Sequence, residues 1–69
     1  MVNTLLLVEK IKESGLKREY LASKLGITRQ AFLNKVNRKT DFTAREIKIL
    51  CKELNITKLT EKEEIFFAD

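Results

Sequence analysis

The side chains best suited to directional hydrogen bonding are grouped between residues 29 and 37 of the 69-residue chain. An arginine such as Arg29 can donate two parallel hydrogen bonds to O6 and N7 of guanine. A glutamine or asparagine amide, as at Gln30 and Asn34, can pair with N6 and N7 of adenine. These residue types suit the reading of base edges, although they also occur on ordinary solvated helix faces.

Positive charge is concentrated around this group of side chains. The formal net charge is +4, but residues 1–40 carry +6 and residues 41–69 carry −2. Within 17–39, Glu19 is the only acidic residue, and the basic residues are Lys17, Arg18, Lys24, Arg29, Lys35, Arg38 and Lys39. This distribution predicts one face that binds a polyanion and a separate face for another contact. A solvated basic surface is the alternative.

Residue types needed for most enzyme chemistry are missing from the sequence. There is no histidine and only one cysteine, Cys51, which excludes a Cys/His zinc site and a histidine general base. No glycine-rich phosphate loop is present either. We therefore expect no enzyme activity, no cofactor, no metal and no small-molecule substrate. Cys51 is expected to be a small buried apolar side chain, and the lack of a disulfide pair fits a reduced cytosolic setting.

Composition and periodicity predict an all-α domain spanning residues 1–69, a compact bundle of four to five helices. The chain has no proline and two glycines, so helices can run with few interruptions. Apolar residues spaced by four predict helices over about 3–14, 17–25, 29–37 and 43–54, and a short fifth helix starting at Thr60. The N-terminal apolar run is too short and too charged for a signal peptide or a membrane span.

Glycines and threonines mark the expected helix ends. Gly15 and Gly26 stand where a helix end favours a left-handed residue, and Asn55 can take the same conformation. Thr28 is a good N-cap. Two stretches have the spacing of capping boxes, one from Thr43 to Glu46 and one from Thr60 to Glu63. For residues 65–67 the pattern leaves helix and strand open.

The short turn between the second and third helices has a recognisable sequence. Residues 21–32 read Leu-Ala-Ser-Lys-Leu-Gly-Ile-Thr-Arg-Gln-Ala-Phe. This run resembles the helix-turn-helix core of the phage repressor and Cro superfamily, the XRE-type family, and the similarity covers about residues 5–57. The resemblance implies a lambda-repressor-like fold with a helix-turn-helix core over 17–37, a recognition helix over 29–37 in the major groove, and a prophage-type transcriptional regulator bound to double-stranded operator DNA.

The resemblance also assigns roles to individual residues. It places Arg29, Gln30, Leu33 and Asn34 at base edges, and it makes Arg18, Thr28, Asn37, Arg38 and Lys39 the candidates for phosphate contacts. Leu33 could instead pack on the loop after the third helix. The sequence departs from the family pattern at Lys17, where a Ser or Thr cap is common, at Arg38, where glycine is common, and at Lys35, where an apolar residue is usual.

The C-terminal segment 58–69 is too apolar at its end to be fully exposed. Ile65, Phe66 and Phe67 either close the core of the domain or contact a second copy. A dimer is expected, because one recognition helix covers few base pairs and such proteins pair on half-sites about one DNA turn apart. In bacteria the protein would then lie in the nucleoid-associated cytoplasm. The rival hypothesis is a protein-interaction module of the same fold, acting as an antitoxin-like or regulatory partner.

Overall fold

Five α-helices make up most of the computed structural model, which describes residues 1–68. They are α1 (Thr4–Ser14), α2 (Arg18–Leu25), α3 (Arg29–Val36), α4 (Ala44–Glu53) and α5 (Leu59–Phe66). No strand occurs within residues 1–68, so the predicted all-α class is confirmed for that part of the chain. None of the described helices is long and apolar enough to cross a membrane.

One apolar core takes residues from all five helices. Its largest fully buried side chains are Phe32, Leu7, Leu21, Leu25 and Leu50. The stripes expected from spacing by four point inward on α1, α2 and α3, because both members of each pair are buried. The resulting domain is small, with a radius of gyration of 10.7 Å, so each of these side chains carries a sizeable share of the total burial.

The predicted ends of the first four helices agree with the structure to within one or two residues. Gly15 and Gly26 adopt φ angles of 72° and 73°, the left-handed conformation in which glycine is not strained. Asn55 is also left-handed, with φ of 57°. Thr43 and Glu46 form both hydrogen bonds of a capping box at the start of α4, as their spacing predicts.

The capping box predicted from Thr60 to Glu63 at the start of α5 is not formed. The helix begins at Leu59, and its N-cap Lys58 makes no side-chain hydrogen bond, so Thr60 lies inside the first turn and caps nothing. Contacts distant in sequence set this position. The Asn3 amide donates a 2.6 Å hydrogen bond to the Ile65 carbonyl, and Lys10 lies 2.9 Å from the Glu61 carboxylate.

Residues 37–43 connect α3 to α4, and polar and aromatic contacts hold this loop in place. Phe42 packs edge-on between Phe32 and Phe66, with ring centroids 6.2 and 5.9 Å apart. The Lys35 ammonium donates to the Asp41 carbonyl at 2.9 Å and lies 3.0 Å from the Glu46 carboxylate. The loop that follows α3 is therefore held at both of its ends. Lys35 takes a buried polar role at the position where an apolar residue is usual in the resembled family.

Candidate nucleic-acid interface

A three-residue turn over 26–28 joins α2 to α3 and fixes their relative placement. The Ile27 amide donates to the Ala22 carbonyl at 3.0 Å, which closes the end of α2. Ala22 itself is 2% exposed, and its small side chain permits close approach of the neighbouring backbone. As a result α3 buries Phe32 and Val36 and presents its first residues to solvent.

The N-terminal end of α3 exposes the two polar residues expected to read bases. Arg29 and Gln30 are both exposed and occupy the first turn, where free backbone amides favour negative charge nearby. Thr28 is exposed, and its hydroxyl accepts a 3.1 Å hydrogen bond from the Ala31 amide. Its predicted capping role is therefore confirmed, and the hydroxyl faces the same helix end as Arg29.

The guanidinium of Arg29 is engaged by a carboxylate across the turn. Its Nε lies 2.9 Å from Oε1 of Glu19 on the first turn of α2, and the two side chains are 58% and 61% exposed respectively. An ion pair this open to water holds its partners together only weakly. The pair thus favours one orientation of Arg29 in the free protein and leaves the side chain available to a ligand.

The next turn of α3 carries the other two residues predicted to contact bases. The Gln30 amide donates a 3.0 Å hydrogen bond to Oδ1 of Asn34, a spacing that joins neighbouring positions on a helix surface. Leu33 is half-buried, so part of its side chain is shielded by the protein and part remains accessible to solvent. Arg29, Gln30, Leu33 and Asn34 consequently lie along two turns of one helix, each with some accessible surface.

A shallow open groove of about 350 Å³ runs beside the start of α2 and reaches Arg29. Its lining includes four cationic side chains, those of Lys12, Lys17, Arg18 and Arg29. Lys17 makes no side-chain capping bond, as expected from the absence of Ser or Thr there. The buried Nε of Arg18 has no hydrogen-bond partner. The groove therefore has four cationic side chains against one carboxylate, that of Glu19, and this excess of positive charge suits an anion.

The remaining predicted phosphate contacts lie beyond the other end of α3. Asn37, Arg38 and Lys39 are all exposed, and they stand about 12 Å from Arg29 by the length of an eight-residue helix. Arg38 has a left-handed φ of 67°, which is unfavourable for a residue with a Cβ. The Lys39 amide donates to the Asn34 carbonyl at 2.9 Å, so the turn is closed on the helix.

The three residues of the C-terminal segment predicted to close the core or to contact a second copy differ in exposure. Ile65 and Phe66 are 2% and 4% exposed and belong to the core of the single chain. In the single chain, α5 packs them against the other helices. Phe67 is 57% exposed, so of the three residues it alone has surface to offer a partner.

Two residues of this region were missed by reasoning from the sequence. In the sequence, Glu19 stands out only as the one acidic residue in a basic stretch. Its position among basic residues is the signal for a special role. Lys12 lies at the end of α1, distant in sequence from the predicted core of the site, and no local pattern places it beside Arg18. Only the packing of α1 against the turn brings Lys12 into the groove.

The titratable side chains outside this region that have shifted pKa values include those of Cys51 and Tyr20. Burial raises the pKa of the Cys51 thiol above its ordinary value, opposed by the nearby Lys62 charge, so the reactive thiolate is disfavoured. A hydrogen bond from the Tyr20 hydroxyl to Glu53 raises the pKa of that tyrosine. Residues 1–68 contain no group of three or more His, Cys, Asp or Glu side chains placed to hold a metal ion.

Comparison with family models gave no match for this chain. Searches of curated proteins and of solved structures gave no significant match either. The geometry of the site and the sequence pattern of residues 21–32 are thus the basis for a functional conclusion.

Proposed function

We propose that this chain is a sequence-specific regulator of transcription that binds double-stranded operator DNA as Cro and repressor proteins do. The observation that carries the proposal is the exposed start of α3, where Arg29 and Gln30 stand beside a groove lined by further cations. In this proposal α3 lies in the major groove, which is wide enough to admit an α-helix. Arg29, Gln30, Leu33 and Asn34 then contact base edges.

The flanking residues hold the DNA backbone on both sides of α3. Arg18 and Thr28 bind phosphate near the start of the helix, and Asn37, Arg38 and Lys39 bind it beyond the end. Such contacts fix the register of the protein on the duplex and carry no sequence information themselves. The candidate phosphate-binding residues lie at both ends of α3. This placement supports the assignment, because a helix seated in the groove has a phosphate strand near each end.

We further propose that two copies bind one operator. A helix of eight residues contacts only a few base pairs, so a single copy has little sequence information to read. Two copies related by a twofold axis would read half-sites about 10 base pairs apart. The acidic balance of residues 41–69 keeps that half of each copy away from phosphate, which leaves it free for contact between copies.

The test begins with selection of bound duplexes from a random DNA pool, followed by affinity measurements on the selected and scrambled sequences at rising salt. Three phosphate-binding cations per copy predict a slope of log affinity against log salt of about −3 for one copy and about −5 for a dimer, since each neutralised phosphate adds about −0.9. Arg29→Ala should cost roughly 1–3 kcal/mol on the selected sequence and little on the scrambled one.

The matched control for this test is Lys48→Ala, which removes an exposed charge from α4 in the acidic half. It should leave both affinities nearly unchanged. A flat salt response with no enriched sequence would contradict DNA binding. That outcome would favour the protein-interaction module, for which the exposed side chains of Leu5, Leu59 and Phe67 are the supporting observation.

A further inference from the structure

Glu19 is the one acidic residue in a stretch of the chain that otherwise carries seven basic residues. Its side chain is exposed, and its Oε1 lies 2.9 Å from Nε of Arg29. A carboxylate beside a phosphate-binding surface repels the ligand, so on charge alone it weakens binding. Favourable interaction with the α2 dipole explains an acidic residue in this turn, but it does not explain the contact with a side chain ten residues later.

The geometry of this contact leaves one edge of the guanidinium free. Arginine has five N–H donors arranged around a plane, and Glu19 approaches the side that carries Nε. The contact with Glu19 is recorded at Nε, and the Arg29 side chain remains 58% exposed, so donors of its two terminal amino groups remain for a ligand. That pair of donors matches O6 and N7 of guanine, which accept two parallel hydrogen bonds.

Holding the side chain in this orientation before binding reduces the entropy lost on binding. A long side chain gives up about 0.5–1.5 kcal/mol when it is immobilised at an interface. A carboxylate bound to Nε restricts the rotation of the Arg29 plane in advance. The same carboxylate disfavours a phosphate in that place, because the two anions repel one another.

We propose that Glu19 is a positioning and specificity residue, which orients Arg29 toward a guanine in each half-site and opposes binding of the same arginine to phosphate. The inference rests on the proposed function, since it concerns the DNA bound there. It adds that the base opposite Arg29 is guanine, and that selectivity depends on a residue outside the recognition helix.

Two variants separate the effect of the Glu19 charge from the effect of its side-chain length. Glu19→Gln removes the negative charge, and we expect affinity for scrambled duplex to rise about threefold while the ratio of specific to scrambled affinity falls about fivefold. Glu19→Asp keeps the charge but is one methylene shorter, so we expect the ratio to fall with little gain on scrambled duplex. The charge-matched control is Glu63→Gln on α5, which should leave the ratio unchanged.

A base analogue gives a readout that a merely structural role would not move. Replacing the guanine opposite Arg29 by 7-deazaguanine removes the N7 acceptor, so wild-type affinity should fall about tenfold and the affinity of Glu19→Gln should fall by much less. Thermal unfolding of all variants should agree closely, because both partners of the pair are exposed.

The inference is overturned if wild-type protein binds its selected sequence specifically while Glu19→Gln and Glu63→Gln give the same ratio. It is equally overturned if selection yields no guanine at the position coupled to Arg29. Failure of the proposed function is a separate outcome, in which the wild-type protein itself shows no difference between selected and scrambled duplexes.

Discussion

At the scale of single residues, Arg38 is the position where the backbone is least favourable for the residue it carries. Its φ of 67° suits glycine, and its exposed side chain contacts only the Met1 sulfur, at 3.4 Å, among the hydrogen bonds of the described residues. The structure gives no folding advantage that offsets this strain. A strained residue with an exposed positive charge, beside the helix predicted to enter DNA, points to a functional reason for the arginine.

Arg38→Gly should make the protein more stable and a weaker DNA binder. We expect the free energy of unfolding to rise by about 0.5–1 kcal/mol, since glycine adopts this φ without strain. The slope of log affinity against log salt should become shallower by about 0.9 per copy, as one phosphate contact is lost. Urea unfolding and binding titrations measure the two effects.

The control is Asn55→Gly, which relieves a similar left-handed φ at the end of α4. It should change stability slightly and leave DNA affinity alone. If Arg38→Gly keeps the full salt dependence of the wild-type protein, Arg38 does not contact phosphate.

At the scale of the helices, the Lys35–Glu46 pair links the last turn of α3 to the first turn of α4, with the ammonium 3.0 Å from the carboxylate. Burial disfavours the charged carboxyl of Glu46, but the Thr43 amide and the Lys35 ammonium outweigh that effect, so the pKa of Glu46 lies below its ordinary value of 4.5. The Lys35 ammonium also donates to the Asp41 carbonyl. The pair therefore fixes the loop that presents Arg38 and Lys39.

Glu46→Gln should lower stability at neutral pH by about 1–3 kcal/mol, because it weakens both the capping box and the pair. Between the folded-state pKa and about 4.5 the unfolded wild-type chain binds the extra proton, so this stabilisation is present above about pH 4.5 and is lost as pH falls through the folded-state pKa. Urea unfolding from pH 7 to pH 3 should show the two proteins converging.

The exposed Glu63 offers the matched comparison, and Glu63→Gln should follow the wild-type pH profile. A constant difference between wild type and Glu46→Gln across the whole range would show that the ionisation of Glu46 does not contribute.

Sequence patterns predict features that depend on contacts between residues close together in the chain. They fail for features that depend on contacts between residues far apart in the chain. The stripes of Leu7, Leu21 and Phe32 follow from helical spacing alone. The Gln30–Asn34 hydrogen bond is likewise a local relation on one helix. The start of α5 depends on its contacts with α1, and the Glu19–Arg29 pair depends on how α2 and α3 are folded together across the turn. Neither has a pattern within one helix that would predict it.

At the scale of the whole molecule, the region around α2 and α3 differs from the C-terminal segment in charge and in apolar surface. Lys17, Arg18 and Arg29 line the groove beside α2, whereas α5 carries acidic residues and ends next to the exposed ring of Phe67. Phe67 also lines a second groove with Met1, Arg38 and Phe42. For the proposed dimer, this ring is the apolar surface offered by residues 65–67, the predicted contact.

Phe67→Ser should weaken self-association about ten- to a hundredfold if the ring is buried between two copies, since burial of a large apolar side chain contributes about 1.5–3 kcal/mol. Sedimentation equilibrium over a range of concentrations measures this effect. Leu59→Ser changes an equally exposed residue at the other end of α5 and serves as the control. Identical association of Phe67→Ser and wild type would assign the dimer contact elsewhere.

Residues 1 and 68 lie next to each other, which has a consequence for the design of a circular form of this protein. The Met1 ammonium donates a 2.7 Å hydrogen bond to the Ala68 carbonyl, so a peptide link of a few residues could close the backbone into a ring. In the chain-entropy model, closing a loop of this length disfavours the unfolded state by roughly 4 kcal/mol. Such a circular protein should withstand heat and exopeptidases better, while the surface around α3 keeps its shape.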